Sequence, residues 1–277
     1  GNMGNLWKGF KEHRTFRFTS LLVILLIALV VLAPVIAPYN PLEAVMKDAN
    51  QAPSMAHLFG TDKLGRDVLS RILYGGAYSL SSVLALVVII FCVGTFLGLV
   101  AGYFGGLIDT VIMRIADMMI SFPGVILAIA IAGIMGGSLV NAMIALTAVT
   151  WTKYARLSRS MVLKIRKRDF VDAAIVSGGT SSHILWTHIM PNVVPILVIT
   201  AVSDIGAMMM ELAGLSFLGF GSQPPAPEWG LMLNEGRQQL QTAPWLMVFP
   251  GLAIFISVVI FNLWGDALRD VLDPRDQ

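Results

Sequence analysis

Long apolar runs without charge recur along this sequence, and short polar segments separate them. A helix needs about 20 mostly apolar residues to cross the hydrocarbon core of a bilayer. The pattern predicts an all-α membrane protein with six transmembrane helices, at residues 18–38, 77–102, 110–135, 139–160, 193–215 and 244–265. Residues 1–17 are predicted to form a cytoplasmic N-terminal segment, and residues 18–277 to form one transmembrane domain.

Two of the apolar runs allow more than one interpretation. Residues 18–41 carry no charge, so a cleaved signal peptide is the alternative to a first span. The apolar part of a signal peptide is only about 7–15 residues long, which favours the span. Residues 118–152 also carry no charge, and this run is long enough for two spans only if Gly136-Gly137-Ser138 provides a tight turn between them.

The positive charges between the spans predict the orientation. Cytoplasmic segments of membrane proteins carry an excess of Lys and Arg. If the N-terminus is cytoplasmic, fourteen such residues lie inside and five lie outside. The inner set is Lys8, Lys11, Arg14, Arg17, Arg114, Lys153, Arg156, Arg159, Lys164, Arg166, Lys167, Arg168, Arg269 and Arg275; the outer set is Lys47, Lys63, Arg66, Arg71 and Arg237. Both termini are therefore predicted to be cytoplasmic.

The overall composition agrees with a membrane protein. Of the 277 residues, 56% are hydrophobic and only 13% are charged, whereas soluble domains carry about 25% charged residues. A soluble protein could not cover this many apolar runs with polar surface. The single cysteine, Cys92, excludes an intrachain disulfide.

Several residues within the predicted spans are candidates for packing or function. Glycines four residues apart lie on one helix face and allow a second backbone to approach closely, which predicts a packing face at Gly94, Gly98 and Gly102. Arg114 and Asp117 are three residues apart, so they are predicted to form a structural ion pair near the end of span three. Asp204 and Glu211 share a face of span five. They either line a translocation pathway, together with Met208, or bond to a partner protein.

The segment between spans four and five has the most informative polar pattern. Residues 166–192 contain helix-forming residues, then Gly178-Gly179, then a second helical stretch that is predicted to end at Pro191. Paired glycines end helices, so a helix–turn–helix is predicted. A solvated basic loop is the alternative, but residues 170–176 are too apolar for one. A short, half-apolar helix of this kind requires a protein groove.

This segment resembles the "EAA" loop of the permease subunits of ABC importers. Asp172-Ala173-Ala174 takes the place of Glu-Ala-Ala, and Gly178 and Pro191 follow at the family's spacing. The sequence departs from the motif at two further positions, with His188 for Ile and Met190 for Leu. Residues 59–80, 113–129, 215–237 and 262–275 also resemble the nickel/dipeptide/oligopeptide branch, so the chain is identified as a member of that family, as a subunit of the C type.

The resemblance implies the type I ABC importer permease fold, with a coupling helix between spans four and five, in a prokaryotic inner membrane. It also implies a homologous second permease, two cytoplasmic ATPases that bind ATP and Mg²⁺, and an extracytoplasmic substrate-binding protein. Membrane lipid is the remaining partner, and no nucleic acid is expected. Asp172, Ala173, Ala174, Gly178 and Pro191 would couple the chain to the ATPases. The sequence has no phosphate-binding Gly-x-x-x-x-Gly-Lys-Ser/Thr loop, so a noncatalytic subunit without a bound cofactor or metal is expected.

The substrate branch is predicted from span five. Asp204-Ile205-Gly206, Met208-Met209 and Ala213-Gly214 resemble the nickel-type permeases, while Glu211 has no fixed counterpart in that pattern. An acidic pair on one face suits a passing cation, so nickel or a nickel–chelate complex is predicted. A dipeptide or oligopeptide is the alternative substrate.

Two other classes of function are alternatives to transport. An intramembrane protease would need a nucleophile–base pair or two facing aspartates, for which Asp117 and Asp204 are the available pair, but no flanking motif supports it. A stand-alone channel would need neither a coupling helix nor an ATPase, so copurification of ATPases separates it from an importer.

Overall fold

The computed structural model describes residue 11 and residues 13–272. Within these residues the regular elements are helical, and a single antiparallel bridge joins Thr61 and Asp67. The predicted all-α class is confirmed. The helices are α1 (Arg14–Val31), α2 (Ala33–Ile36), α3 (Val68–Phe104), α4 (Gly106–Ile120), α5 (Gly124–Met135), α6 (Leu139–Ile165), α7 (Asp169–Val176), α8 (Ser181–Ile184), α9 (Met190–Phe217), α10 (Trp229–Arg237) and α11 (Trp245–Leu272).

In the described part of the chain, four helical segments are long and apolar enough to cross a membrane. They are α1, α3, the continuous helix of residues Ser181–Phe217, and α11; the bent pair of α4 and α5 would make a fifth. Helix α6 is long enough but not apolar enough to meet this criterion, because its second half carries Lys153, Arg156, Arg159 and Lys164. The count of six spans therefore stays a prediction, as does the assignment of residues 1–17, most of which lie outside the described residues.

The predicted third span consists of two helices. Helix α4 ends at Ile120, α5 begins at Gly124, and their axes differ by 94°. Pro123 explains the break, because a proline disfavours helical backbone angles at the residue before it, here Phe122. The apolar run at residues 110–135 is thus a broken span or a re-entrant segment rather than one straight helix.

Pro191 does not end the second helix of the segment 166–192, contrary to the sequence-based expectation. Leu185–Ile189 form a π-helical turn, which continues directly into α9. In a regular α-helix the ring of Pro191 would clash with the carbonyl of Thr187. The wider π turn accommodates this ring, and the side-chain amide of Asn192 donates to the carbonyl oxygen of His188 at 2.7 Å.

The chain divides into two compact units. The first comprises the described residues up to Ala85, residues Ala132–Ile144 and the described residues from Ser203 onward; the second comprises Leu86–Ile131 and Ala145–Val202. In the first unit α11 packs against both α1 and α10. The indole nitrogen of Trp264 on α11 donates to the hydroxyl of Ser20 on α1 at 3.1 Å.

In the second unit the glycines of α3 lie directly against α6. A Cβ atom on Gly94 would lie 2.5 Å from the carbonyl oxygen of Trp151, and one on Gly98 would collide with the carbonyl oxygen of Ala155. A Cβ atom on Gly102 would lie 2.9 Å from Cβ of Val162. The three glycines therefore allow the backbones of α3 and α6 to approach along one face.

Candidate functional site

Helix α7 presents a small apolar surface to solvent. Val171 is fully buried and anchors the helix, whereas Phe170, Ile175 and Val176 are exposed, Val176 to 88%. Asp172 and Ala173 are also exposed. An anchored helix with exposed apolar side chains and an acidic residue has the surface expected of a protein-docking element.

The break after α7 depends on a left-handed residue. Gly178 has φ of +83°, and a Cβ atom placed on it would meet no atom within 4 Å. A side chain at Gly178 would therefore cost energy through the backbone conformation and not through a clash. The backbone amide of Gly179 donates to the carbonyl of Ala174 at 3.0 Å, and Thr180 then caps α8 by accepting from the amide of His183 at 3.3 Å. The segment is thus a helix, a hydrogen-bonded turn and a second helix.

The three candidate pathway residues lie along α9. Asp204 and Glu211 are half-buried, and Met208 between them is buried. In the same helix a Cβ atom on Gly206 would collide with the side chain of Asn262 on α11. Gly206, the glycine of the Asp-Ile-Gly sequence, therefore lies where α9 and α11 cross within the first unit.

The sequence predicts that Asp117 pairs with Arg114, but Asp117 pairs with a residue of another helix. Its carboxylate accepts a hydrogen bond from Nη2 of Arg156 on α6, with both side chains about half exposed. A second ion pair joins the same helices, in which Arg159 donates to the two carboxylate oxygens of Asp109 at 2.6 and 2.7 Å. The error has a simple cause, because the three-residue spacing considers partners within one helix only.

A buried group of charged residues, the loop cluster, lies in the first unit outside the predicted spans. It consists of Asp62, Arg66, Arg71 and Glu235, and the sequence pattern assigns none of them a role. Arg66 donates from Nε to Asp62 at 2.6 Å and from Nη2 to Glu235 at 3.1 Å. Asp62 also accepts from the backbone amides of Leu64 and Arg66, so this carboxylate both pairs with a cation and closes a turn.

Arg71 joins three segments at the centre of the loop cluster. Its side chain is 1% exposed. Nη1 donates to the carbonyl oxygens of Pro41 and Pro225 at 2.9 and 3.4 Å, and Nη2 donates to that of Ala226 at 3.4 Å. Its Nε lies 3.7 Å from Asp62. The predicted outer loops therefore fold together around one guanidinium.

Glu228 caps α10 from a buried position. Its two carboxylate oxygens accept from the amides of Gly230 and Leu231 at 2.8 and 2.9 Å, and the residue is 2% exposed. Burial raises the pKa of Glu228 above its ordinary value, although the two backbone hydrogen bonds act in the opposite direction. The resemblance of residues 59–80 and 215–237 to a known family was the available signal for this region, but it did not show which side chains meet.

The raised pKa of Glu228 predicts a pH dependence of stability. The folded protein binds this proton more tightly than the unfolded chain, so the contribution is complete below the unfolded pKa and is lost as the pH rises through the folded pKa. We expect wild type to gain stability on acidification relative to Glu228→Gln, which cannot titrate. Thermal unfolding of the purified protein from about pH 8 to about pH 4.5 measures this difference. The exposed Glu43→Gln is the control, and identical pH profiles for wild type and Glu228→Gln would contradict the prediction.

The described residues contain no group of three or more His, Cys, Asp or Glu side chains that could hold a metal ion. His183 and His188 are neighbours, with ring centroids 5.8 Å apart, but no acidic or thiol ligand joins them.

Known protein families and individual relatives match almost the whole chain. Residues 94–275 match the family described as binding-protein-dependent transport system inner membrane component, and residues 3–53 match the N-terminal TM domain of oligopeptide transport permease C. A glutathione transport system permease of Pectobacterium atrosepticum is 42% identical over 97% of this chain and 90% of its own length. A dipeptide transport system permease of Alkalihalophilus pseudofirmus is 40% identical over 97% and 88%. A nickel transport system permease of Escherichia coli is 43% identical over 92% and 93%.

The fold also matches a solved structure. A chain of the inward-facing MetNI methionine ABC transporter superposes with a TM-score of 0.57, and the match covers 74% of this chain and 98% of that one. The two sequences are 19% identical, so the likeness concerns the fold alone. It is the type I ABC importer permease fold.

Proposed function

This chain belongs to the family of binding-protein-dependent transport system inner membrane components, and from that premise we propose that it forms half of the translocation pathway of an ATP-driven importer of nickel. It is a noncatalytic, multi-pass subunit of the inner membrane. A homologous second permease completes the pathway, and two ATPases hold the ATP and Mg²⁺. An extracytoplasmic binding protein delivers the substrate.

The coupling role of α7 is supported by its exposed surface. Val176 and Ile175 offer apolar contacts and Ala173 allows close approach, while Asp172 adds a negative charge. A rigid helix anchored by Val171 can carry a displacement of the ATPase into the chain. This role requires the segment 166–192 to face the cytoplasm, with both termini on the same side, and the excess of positive charge in the predicted inner segments favours that orientation.

The acidic residues of α9 support a cationic substrate. Asp204 and Glu211 lie two helical turns apart in a segment that carries no other charge, and carboxylates within a membrane span usually face a pathway or a partner. Nickel, or a nickel–chelate complex, is the proposed substrate. A small peptide is the second candidate, because relatives of equal similarity are named for dipeptide and glutathione transport.

Uptake of radioactive nickel tests the proposal directly. Cells that lack the chain should lose uptake, and wild type or Glu43→Gln should restore it, because Glu43 is exposed outside the spans. Asp204→Asn should restore it only in part. The same cells are supplied with a labelled dipeptide and with labelled glutathione. Unchanged nickel uptake after deletion, together with loss of either peptide activity, would reject nickel and assign the chain to peptide transport.

A further inference from the structure

An apolar groove runs between α1 and α3 in the first unit. Its volume is about 500 Å³, and its walls include Ile27, Val30 and Val31 from α1 and Ala77, Leu80 and Leu84 from α3. Its floor is tight, because a Cβ atom on Gly76 would lie 2.5 Å from Cγ2 of Val30. Both helices are long and apolar enough to cross a membrane, so we expect hydrocarbon to be the medium beside the groove.

A more polar pocket continues the groove at one end. It has a volume of about 470 Å³ and shares Pro34 and Tyr74 with the groove. Tyr39, Asn40 and Tyr78 also line it. Three of the five tyrosines of the chain thus meet where α1 and α2 leave the span. Tyrosine side chains are enriched at the level of lipid headgroups.

The polar pocket offers hydrogen-bond donors without charge. Among the described residues, no hydrogen bond is made by the hydroxyl of Tyr74 or that of Tyr78. The side-chain oxygen of Asn40 accepts a hydrogen bond from the backbone amide of Leu42 at 2.9 Å, so the NH₂ group of Asn40 is available to donate to another acceptor. No Lys, Arg, Asp or Glu lines the groove or the pocket.

We propose that the groove and the tyrosine pocket together bind one membrane phospholipid. An acyl chain lies between α1 and α3, and the ester and phosphate oxygens lie in the pocket, where these acceptor groups match the hydroxyl and amide donors. The order of the two environments, apolar within the span and polar at its end, is the order of the parts of a lipid. Because the lining is neutral, hydrogen bonding and not charge holds the headgroup, and binding is insensitive to salt.

Lipid retention by the whole transporter complex tests this site. The complex is purified in mild detergent, incubated with phosphatidylethanolamine, and weighed by native mass spectrometry. Ala77→Phe fills the groove and should abolish retention of one lipid by each copy of the chain. Ala85→Phe makes the same change at an exposed position of α3 outside the groove and should retain it. The double variant Tyr74→Phe/Tyr78→Phe should weaken retention about tenfold, at low and high salt alike.

Two results would overturn the proposal. One is equal retention by Ala77→Phe, Ala85→Phe and the double variant. The other is an efficient crosslink from Ala77→Cys to the second permease in the intact complex, which would show that a helix of the partner fills the groove. If Ala77→Phe fails to assemble, the double tyrosine variant decides, because it removes only two hydroxyl groups.

Discussion

Replacement of Arg71 by leucine is expected to destabilise the chain by about 3–5 kcal/mol and to deplete it from the membrane. The buried guanidinium is bonded to three backbone carbonyls and lies 3.7 Å from Asp62. Its removal leaves a buried carboxylate and several carbonyl oxygens without part of their compensation. Folded proteins are stable by only about 5–15 kcal/mol, so such a loss is a large fraction of the total. Immunoblots of membranes and thermal unfolding of the purified complex measure the effect.

Two further variants identify the cause of the loss. Lys63→Leu removes the same charge from an exposed position next to Asp62, and it should leave the amount and the unfolding temperature of the chain unchanged. Arg71→Lys retains the charge but not the planar fork of donors, so it should be intermediate. If Arg71→Leu accumulates and unfolds as wild type does, the loop cluster does not stabilise the fold.

The second large effect is expected at Gly178. Valine at this position must adopt φ near +83° or force the turn between α7 and α8 to rearrange, and a β-branched side chain strongly resists the left-handed conformation. We expect Gly178→Val to insert at normal levels. It should lose most substrate-stimulated ATP hydrolysis and transport, because α7 no longer fits the groove of the ATPase. Transport and ATPase assays on the reconstituted complex measure this loss. Asparagine tolerates the left-handed region, so Gly178→Asn should retain more activity.

Gly136 offers a matched control for this experiment. It has φ of +93°, and a Cβ atom there would also meet nothing within 4 Å, so Gly136→Val imposes a similar backbone cost outside the coupling segment. It should lower the stability of the chain, but each assembled complex should retain substrate-stimulated ATP hydrolysis and transport. Equal loss of coupling in both variants would mean that strain in the fold, rather than docking of α7, explains the result at Gly178.

The apolar pattern was sufficient to predict the helical class and the approximate positions of most helices, because helix length in a membrane follows from bilayer thickness. It could not predict that the run around Pro123 bends through 94°, since two short helices and one long helix have the same composition. The course of the chain through Pro191 was missed because a π-helical turn has no clear sequence signal. These are local choices of backbone geometry that a hydrophobic pattern does not record.

The coupling segment around α7 was predictable because its residues are close in sequence. Asp172 and Gly178 are six positions apart, and a helix followed by a glycine turn was expected there. Arg66 and Glu235, in contrast, are separated by 169 residues. Nothing in either local sequence indicates the other partner, so the buried loop cluster was visible only as two unremarkable polar loops.

The contacts of Arg71 have a consequence for the order in which the chain is made. Its carbonyl partners at Pro225 and Ala226 are translated 154 and 155 residues later. At about 5–20 residues per second, roughly 8–30 s pass before these partners exist. During that interval the nascent chain has a guanidinium without its final partners beside newly inserted apolar helices. Water or the insertion machinery must solvate this charge, and a ribosome that stalls before Pro225 leaves a chain that cannot complete its fold.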